Sequence, residues 1–163
     1  MTSPRPTFPL SIVMERIATN NRWQSEKWQL AGVLPQTDDV RTILIDRPGL
    51  LQIRHGGFAA ELFKDEAEGY YLNVVAPEPR VFVSWRMDEV ANEAKPHLVT
   101  LSYNEAARWM DAQETVESVA MPPDIFSAVE EWVQTNYTPP EKKQRIRPKS
   151  FESKEGRYKG GMK

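Results

Sequence analysis

Apolar and polar residues alternate in several segments of the first two thirds of the chain, which is the spacing of β-strands rather than of helices. A first strand is predicted over residues 8–18, where Leu10, Ile12 and Met14 share one face. A second strand is predicted over residues 22–34, and a proline ends it. The chain is therefore expected to begin as a β-structure.

Short segments rich in aromatic and β-branched residues then predict a β-meander. After the apolar segment Ile43–Ile45, strands are predicted over Leu50–His55, Phe58–Lys64, Gly69–Ala76, Arg80–Arg86 and His97–Leu101. Gly56-Gly57 fits a two-residue hairpin turn, because glycine adopts a positive φ without a Cβ clash. Connections this short cannot hold a helical crossover, so the strands of the meander are predicted to be antiparallel.

Two helices are predicted towards the carboxy terminus. Ser102 and Glu105 form a capping box that begins a helix over Tyr103–Asp111. A second helix begins at Pro122-Pro123 and carries an apolar stripe that we expect to face the sheet: Ile125, Val129, Trp132 and Val133. The predicted fold class is α+β, with one domain over residues 8–137. Its mainly antiparallel meander sheet can curl towards a barrel, and the two helices close it.

Composition narrows the classes of protein to consider. The 163-residue chain has no cysteine, which excludes disulfides, thiolate zinc sites, iron–sulfur ligation and a cysteine nucleophile. A chain without cysteine fits the reducing cytosol, and a periplasmic protein can also lack cysteine. No apolar run reaches the roughly 20 residues that span a bilayer. We therefore expect a cytoplasmic protein that does not insert into a membrane.

Charge is unevenly distributed along the chain. Residues 138–163 hold nine basic and three acidic side chains, whereas the first 137 residues carry a net charge of −8. Large apolar residues are few in residues 138–163, so we expect a disordered basic tail. Such a tail can fold back on the acidic part of the same chain or contact an acidic partner, and we expect the contact with a partner. The predicted contact residues are Arg145, Ile146, Arg147, Lys149 and Phe151. Nucleic acid is the less expected partner, because the rest of the chain is acidic.

One segment of the folded part combines aromatic and basic residues, Arg22–Trp28. In a strand, Trp23 and Trp28 point to opposite faces, so only one of them easily enters the core of a single sheet. Either a curled sheet uses both internally, or one lies at a partner interface, where tryptophan and arginine are enriched. Arg22, Trp23 and Trp28 are therefore candidate partner-binding residues.

Catalytic and metal-binding patterns are not recognisable in the sequence. The two histidines, His55 and His97, lack metal-ligand spacing, and we expect both to be exposed residues at strand ends. Neighbouring carboxylates fall in turns or on a polar helix surface, and no serine lies in a nucleophile motif. We expect no catalytic residue, no bound metal and no cofactor.

Several stretches of the sequence resemble one bacterial protein family. They are Ser11–Arg16, Asn21–Trp28, Val33–Pro35, Val99–Asp111, Val119–Pro140 and Glu141–Arg147. Together they are similar to the family known as domain of unknown function 3305, and the resemblance spans about residues 8–150. That family has no established activity. Its members are typically encoded beside molybdenum- or tungsten-dependent formate dehydrogenases and their maturation factors.

The resemblance implies a non-catalytic accessory protein of a formate dehydrogenase system, either an assembly factor or a small subunit. Its partner would be the catalytic subunit or a maturation factor, and the molybdenum or tungsten would belong to that partner. Two alternatives remain open. One is a module that binds nucleic acid or another polyanion through the basic tail, and the other is an enzyme of cofactor maturation with an unrecognised site.

Overall fold

The computed structural model describes residues 5–35 and 38–140 of the chain. Within these residues the chain forms strands and helices in the following order: β1 (Thr7–Ala18), β2 (Glu26–Pro35), β3 (Arg41–Arg47), β4 (Leu50–Glu61), α1 (Ala67–Val74), β5 (Arg80–Asp88), β6 (Glu93–Thr100), α2 (Tyr103–Asp111), β7 (Thr115–Ala120) and α3 (Pro123–Asn136). A single 3-10 turn, Lys64–Glu66, precedes α1.

The strands form two antiparallel sheets rather than one meander. The first sheet has the order β2-β1-β4-β3 and the second has the order β6-β5-β7. β1 is central to the first sheet, because it pairs with β2 on one side and β4 on the other. The antiparallel α+β class is confirmed. The described strands do not close into a barrel, so the expected curling of a single sheet is wrong.

A single apolar cluster joins both sheets to the helices. The face of β1 predicted from alternation is confirmed, since Leu10, Ile12 and Met14 are at most 2% exposed. The second sheet and the last helix contribute further buried members to the same cluster: Val81, Val83, Ile125, Val129 and Val133. Burial of one such side chain contributes about 1.5–3 kcal/mol, so this cluster stabilises the packing of sheet against sheet.

Gly56 and Gly57 do not form the predicted hairpin turn. They form a bulge inside β4, where the pairing with β1 shifts register and Gly57 has a φ of +88°. A bulge takes up an extra residue without ending the strand, and glycine adopts the required conformation without strain. A Cβ on Gly56 would lie 2.1 Å from the carbonyl oxygen of Asp38, so only glycine fits beside that part of the chain.

The predicted strand Gly69–Ala76 is wrong, because this segment forms the helix α1. Tyr70 and Asn73 are buried three residues apart, which is helical spacing. Asn73 Nδ2 donates hydrogen bonds to the carbonyl oxygens of Arg80 and Leu101, both at 2.8 Å. Arg80 is seven residues away and Leu101 is twenty-eight residues away, and together they fix the helix against the start of β5 and the end of β6. The described chain therefore has three α-helices, whereas the sequence predicted two.

The two helices predicted from sequence are confirmed. Ser102 Oγ accepts a hydrogen bond from the Glu105 amide at 3.0 Å, as the capping box predicts, and α2 follows. The stripe of α3 faces the core, and its Trp132 packs edge-on against Tyr70 of α1, with ring centroids 5.5 Å apart. Between these helices, β7 is a strand that the sequence pattern did not predict.

Candidate protein-interaction site at one end of the first sheet

The connection between β1 and β2 is a loop held by its own hydrogen bonds. The Thr19 amide donates to the Ser25 carbonyl oxygen at 2.9 Å, which closes the base of the loop. Inside it, the Asn21 side chain accepts a hydrogen bond from the Trp23 amide at 2.8 Å, an Asx turn. This local bond competes with strand pairing. The strand predicted from residue 22 therefore begins only at Glu26.

The two candidate tryptophans have different environments. Trp23 is 91% exposed at the tip of the loop, and Arg22 beside it is exposed as well. Trp28 is half-buried in β2 and packs against the core, with the Arg16 guanidinium carbon 5.7 Å from its ring centroid. The interpretation in which both tryptophans are used internally is wrong. Trp23 is left available to a partner, and Trp28 supports the strand behind it.

A shallow hollow of about 140 Å³ lies at the same end of the sheet. Ile17 and Ser25 line one side of it, and Gly49 of the β3–β4 turn and Leu50 at the start of β4 line the other. The Ala18 amide donates to the Gly49 carbonyl oxygen at 3.1 Å, which holds the two loops together. A hollow of this size admits a single side chain of medium size.

Four basic residues lie on the strands and the loop at this end of the first sheet, and we call this region the basic end. It comprises Arg16, Ile17, Arg22, Trp23, Lys27, Arg47 and Leu50. Strand pairing sets Lys27, Ile17, Leu50 and Arg47 side by side in one row across the sheet, on the face opposite the core. Its acidic neighbours are Glu26, which pairs with Arg16 at 3.5 Å, Asp46, and Glu15, which lies two residues before Ile17 on the same face of β1 and accepts hydrogen bonds from Gln29 and Gln52. Arg22, Lys27 and Arg47 are exposed and form no ion pair with any residue that the structure describes.

The remaining candidate residues of the sequence analysis lie outside the described residues. They are Arg145, Ile146, Arg147, Lys149 and Phe151 of the basic tail. The part of the predicted tail that the structure does describe, residues 138–140, has no regular secondary structure.

His55 belongs to a cluster with Arg41 and the buried Glu93 that the sequence pattern did not predict. It was expected to be exposed at a strand end, but it is 9% exposed in the middle of β4. Its Nε2 lies 4.0 Å from Glu93 Oε2 and has no hydrogen-bond partner among the described residues. Glu93 accepts two hydrogen bonds from the Arg41 guanidinium, at 2.5 and 3.1 Å. One feature of the sequence is compatible with its burial. His55 follows the buried Ile53 by two residues, so the two side chains lie on the same face of the strand.

The electrostatics of this cluster follow from burial and from the Arg41 contact. The hydrogen bond from Arg41 holds the pKa of the Glu93 carboxyl below its usual value. Burial lowers the pKa of His55, and the opposing attraction of Glu93 is the smaller effect. Because Arg41 lies on β3 and Glu93 begins β6, the cluster ties the first sheet to the second.

A second polar contact joins the sheets beside β2. Glu117 Oε2 on β7 accepts hydrogen bonds from Trp85 Nε1 at 2.5 Å and from the Leu30 amide at 3.1 Å. His97, in contrast, is exposed on β6 as expected, although that strand begins at Glu93 rather than at His97. Within residues 5–35 and 38–140, no group of three or more His, Asp or Glu side chains is placed to hold a metal ion.

None of the helices described is both long enough and apolar enough to cross a membrane.

Comparison with known proteins identifies the family to which the chain belongs. No curated protein and no solved structure matches the chain. A family model described as protein of unknown function (DUF3305) matches residues 9–147, which is most of the sequence. The chain therefore belongs to the DUF3305 family.

Proposed function

We propose that this chain is a non-catalytic accessory protein of a molybdenum- or tungsten-dependent formate dehydrogenase system in the cytoplasm. It acts as an assembly factor or as a small subunit, and its partner is the catalytic subunit or a maturation factor. Membership of the family supports the proposal through the gene neighbourhood that the resemblance implies. The metal belongs to the partner.

The observation that carries the docking role is the exposure of Trp23. A tryptophan ring offers one of the largest apolar surfaces of any side chain, and tryptophan is enriched among the residues that dominate binding energies. Trp23 presents that ring on a loop whose backbone is already fixed by the Asn21 and Thr19 hydrogen bonds. A loop fixed before binding loses little conformational entropy on docking, so more of the contact energy appears as affinity.

The basic tail is the proposed second contact with the same partner. Its nine basic and three acidic side chains are suited to an acidic surface. We expect deletion of residues 139–163 to leave the unfolding midpoint of the folded part nearly unchanged, since Tyr137 is the last of the described residues that packs against the core and residues 138–140 are exposed. Capture of the partner should weaken by about tenfold, or about 1.4 kcal/mol. Equal capture by the truncated chain would limit the interface to the folded part.

The experiment is affinity capture from the native host. The tagged chain is expressed there, and the formate dehydrogenase catalytic subunit and its maturation factors are quantified by mass spectrometry. We expect one of these proteins to be enriched with the unaltered chain and lost with Trp23→Ala. Val90→Ala is the matched control, because Val90 is a fully exposed apolar residue in another turn. Failure to enrich any formate dehydrogenase protein would contradict the proposed function.

A further inference from the structure

We propose that the basic end binds an extended acidic segment of the partner, whose carboxylates meet Lys27 and Arg47 and whose apolar side chain enters the hollow between them. The inference rests on the proposed function for the identity of the partner. The kind of segment recognised is argued from the site itself. It deepens the proposed docking role by naming the sequence pattern that the site selects.

The spacing of the row sets the spacing of the ligand. Lys27 and Arg47 lie on the two outer strands of the first sheet, with Ile17 and Leu50 on the two strands between them. Neighbouring strands are about 4.8 Å apart, so the two basic positions are separated by about 14 Å. In an extended peptide that distance corresponds to residues i and i+4, at roughly 3.4 Å per residue.

The middle of the row is apolar, which sets the central residue of the ligand. Side chains i, i+2 and i+4 of an extended peptide lie on one face, so residue i+2 points at Ile17 and Leu50 when its neighbours point at the basic positions. Ile17 and Leu50 are half-buried and line the hollow. The complementary pattern is therefore Glu-x-Leu-x-Glu, with an acidic residue at either end and a medium-sized apolar residue in the middle.

The local charge of the basic end favours a negatively charged ligand. The basic end has four basic residues and three acidic neighbours, whereas the rest of residues 1–137 has eight basic and seventeen acidic ones. The sign of the local charge is thus opposite to that of the surrounding protein. An acidic segment is attracted to this end and repelled elsewhere, which favours docking in one place.

Single-stranded nucleic acid fits the same site less well. Its binding sites combine a continuous basic groove with several aromatic stacking partners. Here Trp23 is the one strongly exposed tryptophan among the described residues, and the centre of the row is apolar rather than basic. The acidic remainder of the folded part would also repel a phosphate backbone. We therefore assign the site to a polypeptide and use nucleic acid as a competing outcome of the test.

The test is a titration of the intact chain with a peptide, monitored by NMR signals of the tryptophan indole groups and the backbone amides. The probe is a short synthetic peptide that contains Glu-x-Leu-x-Glu, and the control peptide replaces both glutamates with glutamine. We expect the acidic peptide to shift the Trp23 indole and the amides of Ile17 and Lys27. The glutamine peptide should bind at least about tenfold more weakly. Raising the salt concentration from about 0.05 to about 0.5 M should reduce the difference.

Variants separate charge from apolar contact. The double variant Lys27→Glu with Arg47→Glu should lower the affinity for the acidic peptide by at least about tenfold. Lys64→Glu is the control, because Lys64 is exposed in the 3-10 turn before α1 and is not part of the basic end. This variant should leave the affinity unchanged. All of these side chains are exposed, so the far-ultraviolet circular dichroism spectrum should be unaltered.

Three results would overturn the inference. They are equal binding of the acidic and glutamine peptides, no shift at the basic end with either peptide, and tighter binding of oligothymidylate than of the acidic peptide at the same residues. Failure of the inference and failure of the proposed function give different results. If the acidic peptide binds as expected but no formate dehydrogenase protein is captured, the proposed function fails and the inference stands. If capture succeeds and survives the double variant, the inference fails and the proposed function stands.

Discussion

Gly69 of α1 and Ser102 before α2 lie in such close contact that a Cβ on Gly69 would fall 1.9 Å from Ser102 Oγ. The same hydroxyl caps α2 by accepting a hydrogen bond from the Glu105 amide, and it donates a hydrogen bond to Glu66 Oε2 at 2.6 Å. Arg108 of α2 also donates to Glu66. The first turns of the two helices are thus joined through one serine hydroxyl, and glycine is what allows α1 to approach it.

Gly69→Ala tests this contact. The added methyl group would displace Ser102 and disturb the cap of α2, so we expect a loss of about 2 kcal/mol in the free energy of unfolding. Urea denaturation measures it. Gly32→Ala is the matched control, because a Cβ at Gly32 in β2 meets no atom within 4 Å, and it should have little effect. Equal stabilities of the two variants would show that α1 shifts away from Ser102 without cost.

Trp132→Ala tests whether α3 holds the fold through its stripe. Trp132 packs against the core and against the Tyr70 ring, so its removal should lower the free energy of unfolding by about 3 kcal/mol. Trp23→Ala is the control for loss of an indole ring, and it should change the stability little because the ring is exposed. Similar losses in the two variants, measured in the same urea titration, would contradict the assignment of separate roles.

The buried cluster predicts how stability depends on pH. Burial holds the pKa of His55 below its unfolded value of 6.5. The negative charge of Glu93 raises this pKa, and the positive charges of Arg41 and Lys95 lower it further. Below pH 6.5 the unfolded chain therefore binds a proton that folded His55 does not. The stabilising contribution is complete above pH 6.5 and is lost as the pH falls below that value. We expect the free energy of unfolding to decrease with acidification in this range.

A second decrease is expected in a lower range of pH. The Arg41 hydrogen bond lowers the pKa of Glu93 below 4.5, so its contribution is present above pH 4.5 and is lost as the pH falls towards the folded pKa. Urea denaturation at a series of pH values measures both ranges. His55→Phe should flatten the upper one, and His97→Phe, at an exposed position, should leave it unchanged. A slope in the upper range that survives His55→Phe would assign the titration to another group.

The sequence predicted those elements whose pattern is complete within the element itself. One face of β1 and the stripe of α3 were predicted because a buried face imposes its period on neighbouring residues. The bulge at Gly56 depends on Asp38, and the helix at Asn73 depends on the Leu101 carbonyl oxygen. Those partners are distant in sequence, so a local pattern could not identify them. The burial of His55 has the same origin, because Glu93 reaches it only from the second sheet.

The candidate site was predicted in part for the same reason. Arg22 and Trp23 stand out in the sequence as an aromatic and basic segment, and the structure leaves both exposed. Lys27 and Arg47 were not named, because they are brought into one row only by the pairing of β1 with β2 and β4, and of β3 with β4. A strand register links positions that no local spacing connects.

The most direct test of the proposed docking role is hydrogen–deuterium exchange of the chain alone and in complex with the purified formate dehydrogenase catalytic subunit. We expect the amides of residues 19–27 to exchange more slowly in the complex, because a docked partner covers the loop that carries Trp23. The amides of α3 should be unchanged, since that helix packs inwards against the core. The absence of a complex, or protection that leaves residues 19–27 unaffected, would contradict docking through Trp23.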